Sequence, residues 1–116
     1  MAYLENLSEL SDLDLTHTKV SDTGLTHLKG LWQLKTLDLA FCPISDSGLE
    51  NLAVLTQLSI LGLGHTHVTD SGLKHLRGMN NLISLNLGFT WVKGQGLDYL
   101  RRCLQNQKPL NFTAWS

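Results

Sequence analysis

A chain of 116 residues and 12.9 kDa has room for one domain and a modest core. Hydrophobic residues make up 42% and charged residues 16%, the balance of a folded chain, and nine basic against ten acidic side chains leave a net charge of -1. Scattered Lys and Arg, with Arg101-Arg102 the one adjacent basic pair, exclude the basic stripe of a nucleic-acid binder. No run approaches the roughly 18 apolar residues of a membrane span. "MAYLENLSEL" lacks the basic start and apolar core of an export signal, so a cytoplasmic setting is expected. Cys42 and Cys103 are too few for a disulfide framework and read as reduced thiols.

In chain order, the first element is a fragment. In "MAYLENL", Leu4 and Leu7 match Leu28 and Leu31, so residues 1–9 read as the close of a unit whose strand is missing. An array opening this way leaves about five leucines to be covered, worth roughly 1.5–3 kcal/mol each on full burial. Preceding repeats, a second copy or the leading residues themselves are the three ways to cover them. Four units in register follow: "LSDLDLTHTKVSDTGLTHLKGLWQ" (10–33), "LKTLDLAFCPISDSGLENLAVLTQ" (34–57), "LSILGLGHTHVTDSGLKHLRGMNN" (58–81) and "LISLNLGFTWVKGQGLDYLRRCLQ" (82–105). Leu13, Leu37, Leu61 and Leu85 are each 24 residues apart.

Each unit changes period halfway. The opening LxxLxL alternates like a short strand with one buried face, and GLxxLxxL places leucines three apart as on a helical turn. Between them, "VSD", "ISD" and "VTD" offer a hydroxyl for an N-cap and an aspartate for the first turn, favoured there by the helix dipole. The fourth unit has Lys93-Gly94 instead, which predicts the loosest helix start. Residues 106–116 begin a degenerate fifth unit at "PLNF" and, with Phe112 and Trp115, read as a cap. A unit of this size cannot bury its own leucines, so units must stack, their parallel strands about 4.8 Å apart.

LxxLxLxx(T/C)x(V/I) in all four units, followed by SDxGLxxLxxL in the first two and by looser forms of it in the others, resembles the leucine-rich repeat superfamily across nearly the whole chain. "CPISDSGLENL" is similar to the cysteine-containing class found in substrate-receptor subunits of ubiquitin ligases, and "TKVSDTGLTHL" to repeats common in bacterial proteins. Thr18, Thr66 and Thr90 stand at the cysteine position in the other three units. The resemblance implies an α/β solenoid, a right-handed horseshoe segment with parallel strands on the concave face and helices on the convex face. It also implies that Cys42 points inward and bonds the backbone of a turn.

On such a frame the residues flanking the strand leucines face outward. One column reads Asp12, Thr36, Ile60, Ser84 and the next Asp14, Asp38, Gly62, Asn86, acidic toward the N-terminal side. Beyond them run Thr16, Ala40, Gly64, Gly88, then His17, Phe41, His65, Phe89, with Trp91 just past the row. Small residues beside an alternating His and Phe row suggest open space for an anchor side chain from a partner, with Trp91 the first hot-spot candidate. The competing reading is that Phe41 and Phe89 merely cover strand edges while the histidines are solvated.

His65, His67 and Asp70 imitate a metal cluster, but no third ligand converges on them, and Asp70 matches Asp22 and Asp46 as a helix-start residue. No metal and no cofactor is expected. A shallow open face without a nucleophile and base in one pocket, and without a glycine-rich phosphate loop, argues against an enzyme. The expected role is a non-catalytic protein-interaction module, the C-terminal part of a larger repeat protein. Its partner surface would comprise Asp12, Asp14, Asp38, Ile60, His17, Phe41, His65, Phe89 and Trp91. Two alternatives stay open: an assembly segment pairing as a homodimer through its N-terminal repeat edge, and the substrate-receptor part of a ubiquitin ligase.

Overall fold

The structure, a computed structural model, describes residues 9–94 and the backbone of 111–114. Five parallel strands form one sheet in sequence order: β1 (Asp12–Asp14), β2 (Thr36–Asp38), β3 (Ile60–Gly62), β4 (Ser84–Leu87) and β5 (Asn111–Ala114). Leu13 pairs with Leu37, Leu37 with Leu61 and Leu61 with Leu85, so the 24-residue repeat of the sequence is the register of the sheet. The step to β5 is longer, because Leu85 lies beside Phe112.

The return segments carry the 3-10 helix Gly24–Leu28, the α-helix α1 (Asp46–Leu52) and the 3-10 helix Asp70–Leu76. Three-residue leucine spacing suits tight turns of this kind better than a long α-helix, since side chains at i and i+3 eclipse when the period is three. The bonds Leu31 N to Leu28 O and Leu34 N to Leu31 O, both 2.9 Å, carry that period out of the helix and into the next strand. Leu25, Leu28, Leu31 and Leu34 are fully buried, as are Leu49, Leu52, Leu55 and Leu58 in the next unit. With Leu37, Leu61 and Leu85 from the sheet they make one continuous core.

The polar residues at each helix start do more than expected. Asp46 and Asp70 stand in the first turn of their own helices behind Ser45 and Thr69 at the N-cap positions, and each carboxylate, like that of Asp22, also reaches into the next unit. Asp22 accepts from Ser45 N (2.8 Å), Ser45 Oγ (2.5 Å) and Ser47 Oγ (2.9 Å), and Asp46 accepts from Thr69 N (2.8 Å) and Thr69 Oγ1 (2.5 Å). Asp70 accepts from Lys93 N (2.9 Å) and Gly94 N (3.0 Å). Ser45 thus spends its hydroxyl on the neighbouring unit and makes no side-chain cap, whereas Thr69 also accepts from Ser71 N. In the first unit the helix starts later, with Thr23 as its N-cap.

These carboxylates explain a glycine. A Cβ added to Gly48 would sit on Asp22 Oδ1, and one added to Gly72 on Asp46 Oδ1. A Cβ at Gly24 would meet only Val20, at 3.4 Å.

Inside the solenoid, the hydroxyls of Thr18, Thr66 and Thr90 donate to the carbonyls of Leu15, Leu63 and Leu87 at 2.7, 2.7 and 2.6 Å. Cys42 stands at the same place, is buried, and donates its Sγ hydrogen to Leu15 O of the preceding unit at 3.0 Å. The helix of the fourth unit, Arg101-Arg102, Cys103 and the side chains of the expected cap lie outside the described residues. Among the described residues, no helix is long and apolar enough to cross a membrane.

Candidate interaction face

The register lays the outward side chains in rows across the strands. Asp12, Thr36, Ile60 and Ser84 are neighbours, as are Asp14, Asp38, Gly62 and Asn86. Asp12, Asp14 and Asn86 are exposed, Thr36, Asp38 and Ser84 half-buried, and Ile60 presents 42% of its surface to solvent.

At the ends of the strands the second row turns the chain. Asp14 Oδ1 accepts from Thr16 N (2.9 Å) and Thr16 Oγ1 (2.6 Å), Asp38 Oδ1 from Ala40 N (3.0 Å), and Asn86 Oδ1 from Gly88 N (2.8 Å). Such side-chain bonds to the amide two residues on mimic a backbone turn. The Thr16 hydroxyl first, and then its amide, hold the Asp14 carboxyl below its usual value of 3.8.

The next residue in each unit is left-handed. His17, Phe41, His65 and Phe89 have φ of 62, 63, 57 and 58°, a region that bulky side chains rarely adopt. Two interactions hold them there. Their amides extend the sheet ladder, with His17 N donating to Ala40 O (3.0 Å), Phe41 N to Gly64 O (3.0 Å) and His65 N to Gly88 O (2.9 Å). Their rings stack in one column with centroids 4.2, 4.0 and 4.4 Å apart and planes within 11 to 16° of parallel. Each ring pair is worth about 0.5–1.5 kcal/mol, comparable with the roughly 1–2 kcal/mol that a left-handed residue costs.

The row is therefore packed and exposed at once. The rings cover one another's faces, and the column remains at the surface, with Phe41 46% and Phe89 60% exposed. Trp91 is 63% exposed and belongs to a neighbouring row, where its ring meets His67 edge to face at 5.5 Å. A short parallel ladder supports that row, through His67 N to Ile44 O (2.8 Å) and Trp91 N to Val68 O (3.0 Å).

Beside the rings, Gly64 and Gly88 are buried. A Cβ on Gly88 would lie 3.2 Å from Asn86 Oδ1 and one on Gly64 3.4 Å from Gly88 O, so the Asn86 amide borders the space that these small residues leave.

One exposed aromatic was missed from the sequence. Trp32, 56% exposed, stands at the strand-entry end beside a depression lined by Ser11, Gln33, Lys35 and Gln57. Its counterparts Thr56 and Asn80 are polar, and a tryptophan in a polar column was the available signal. Among the described residues no three His, Cys, Asp or Glu side chains are placed to hold a metal ion.

A family profile described as Leucine Rich repeat matches residues 7–29 and 34–53. No curated protein matches the chain. Among solved structures, the C-terminal domain of Caenorhabditis elegans tropomodulin superposes with a TM-score of 0.73 at 18% identity, over 97% of this chain and 77% of that one. The leiomodin-1 Actin-Binding Site 2 gives 0.71 at 16% identity, over 99% and 76%. An internalin (inlF) from Listeria monocytogenes gives 0.59 at 19% identity over 94% of this chain, which spans only 36% of that protein's length. The 24-residue register, the profile match and the shared architecture give the chain a leucine-rich repeat fold, one that generally serves in protein–protein interaction.

Proposed function

We propose that this chain is a non-catalytic binding module that holds a protein partner on the outward face of its sheet, from Asp12 to Ile60, and on the rim formed by Phe41, Phe89 and Trp91. The observation that carries the reading is the exposure of Ile60 on the outward strand face and of Phe41, Phe89 and Trp91 beyond the strand ends, at 42 to 63%. Large apolar side chains at the surface of a binding fold are the usual anchors of an interface. The actin-binding site of leiomodin-1, built on the same fold, supports the reading that such a frame serves as a binding surface.

Affinity capture from a cell lysate with quantitative mass spectrometry tests it. Wild-type chain and the Lys74→Glu variant, altered on the helical side, retain the same partner, whereas Ile60→Lys and Trp91→Ala lose it. Equal retention by all four chains overturns the assignment of this face.

A second reading, assembly through the first repeat, rests on a different observation. Leu10, Leu13, Leu15 and Val20 are only partly buried, although Leu34, Leu37, Leu39 and Ile44, one unit on, are fully buried.

A further inference from the structure

The turn at the end of a strand does not require a negative charge. Asn86 Oδ1 receives Gly88 N at 2.8 Å with a neutral side chain, in the geometry that Asp38 uses for Ala40 N at 3.0 Å. The third unit, with Gly62, turns without a side-chain acceptor at this position. Thr16 favours the charged form of Asp14, but a neutral acceptor serves the same turn elsewhere in the sheet.

The carboxylates also crowd one another. Parallel pairing places Asp14 directly beside Asp38, with Asp12 two residues away on the same face. Like charges on adjacent strands repel. None of the eight outward strand positions from Asp12 to Asn86 is Lys or Arg. Hydrogen bonds reach Oδ1 of Asp14 and of Asp38, and Asp14 is exposed while Asp38 is half-buried. Ile60 lies two strands along from Asp12 in the same row, with the aromatic column at the rim.

From this arrangement we infer that the face takes a basic, extended segment of a partner protein, its Lys or Arg side chains against Asp12, Asp14 and Asp38 and an apolar or aromatic side chain on Ile60 and the ring edges. Complementarity of charge selects this partner over an acidic or neutral one. The inference rests on the binding-module reading and adds the chemistry of the partner to it.

Selection of phage-displayed random dodecapeptides on the immobilised chain, followed by fluorescence-polarisation titration of the resynthesised peptides, tests both levels. The expected peptides carry two or more Lys or Arg and one aromatic or large aliphatic residue, and their affinity falls as salt is added. Asp14→Asn combined with Asp38→Asn keeps both turn acceptors, unfolds at or above the wild-type temperature, and weakens binding about three- to tenfold. Ile60→Ser weakens it as well.

Peptides without basic enrichment overturn the inference, and so does a double-Asn variant that binds as tightly as wild type while Ile60→Ser does not. In either case the binding-module reading stands. A double-Asn variant that melts well below wild type would show the charges to be structural and overturns it too. A selection that yields no binder, or binders indifferent to all three substitutions, overturns both readings.

Discussion

At the scale of single residues, the left-handed row is where sequence and backbone are in tension. Phe41 has φ of 63° and its ring lies between those of His17 and His65 at 4.2 and 4.0 Å, so its side chain offsets what its backbone costs. Removing the ring separates the two effects. Phe41→Ala loses both stacking contacts and keeps a Cβ in the left-handed region; Phe41→Gly loses the same contacts and relieves the backbone. The glycine variant is expected to be more stable than the alanine variant by about 1 kcal/mol, the reverse of the usual order within regular structure. Urea denaturation of the two variants measures it, and an alanine variant at least as stable as the glycine one contradicts the left-handed assignment. Asp14 illustrates a different residue-scale point: its bond to Thr16 is local and therefore readable, since both partners lie within one turn.

At the scale of elements, the return segments owe their stability to the neighbouring unit. Helices of five and seven residues are too short to persist alone. The carboxylates of Asp22 and Asp46 anchor the next helix start through its amide and hydroxyl. The small residue that follows, Gly48 or Gly72, makes room for that carboxylate. Gly48→Ala and Gly72→Ala should each lower stability by about 1–3 kcal/mol, the usual cost of overpacking. Gly24→Ala, whose Cβ would meet only Val20 at 3.4 Å, should stay within about 0.5 kcal/mol of wild type. Chemical denaturation midpoints compare the three, and equal losses at all three glycines would mean that helix geometry, not the aspartate ladder, requires them.

At the scale of the whole molecule, stability in a stacked array is a sum of unit and interface contributions, so protection should follow how many neighbours cover a unit. Leu37 and Leu61 sit between paired strands and are buried, whereas Leu13 and Leu15 are only partly buried. Hydrogen exchange at low protein concentration should therefore be slowest for the amides of Leu37, Leu39, Leu61 and Leu63 and faster for that of Leu15. The same experiment at high concentration decides the assembly reading. Protection of Leu15 that rises with concentration means a second copy covers the first repeat. Protection that does not change means association does not use that edge.

The repeat, the inward leucines, the outward rows and the buried Cys42 were all readable from the amino-acid order. Each unit must bury the same positions, so burial is written as a period of 24 residues. Stacking translates that period directly into register, as the pairing of Leu13, Leu37, Leu61 and Leu85 shows. Other features took their form only when the units met. Asp22 satisfies a local helix-start pattern and a bond to Ser45 equally well on paper, and only the lateral distance between units decides for the second. Gly64 and Gly88 suggest space, and only the folded chain shows the Asn86 side chain bordering it, bonded to the Gly88 amide. Neither His nor Phe announces a left-handed backbone. In that conformation His17, Phe41 and His65 each donate an amide to the next unit and stack on its ring, and Phe89 stacks back on His65; these contacts exist only in the stacked chain.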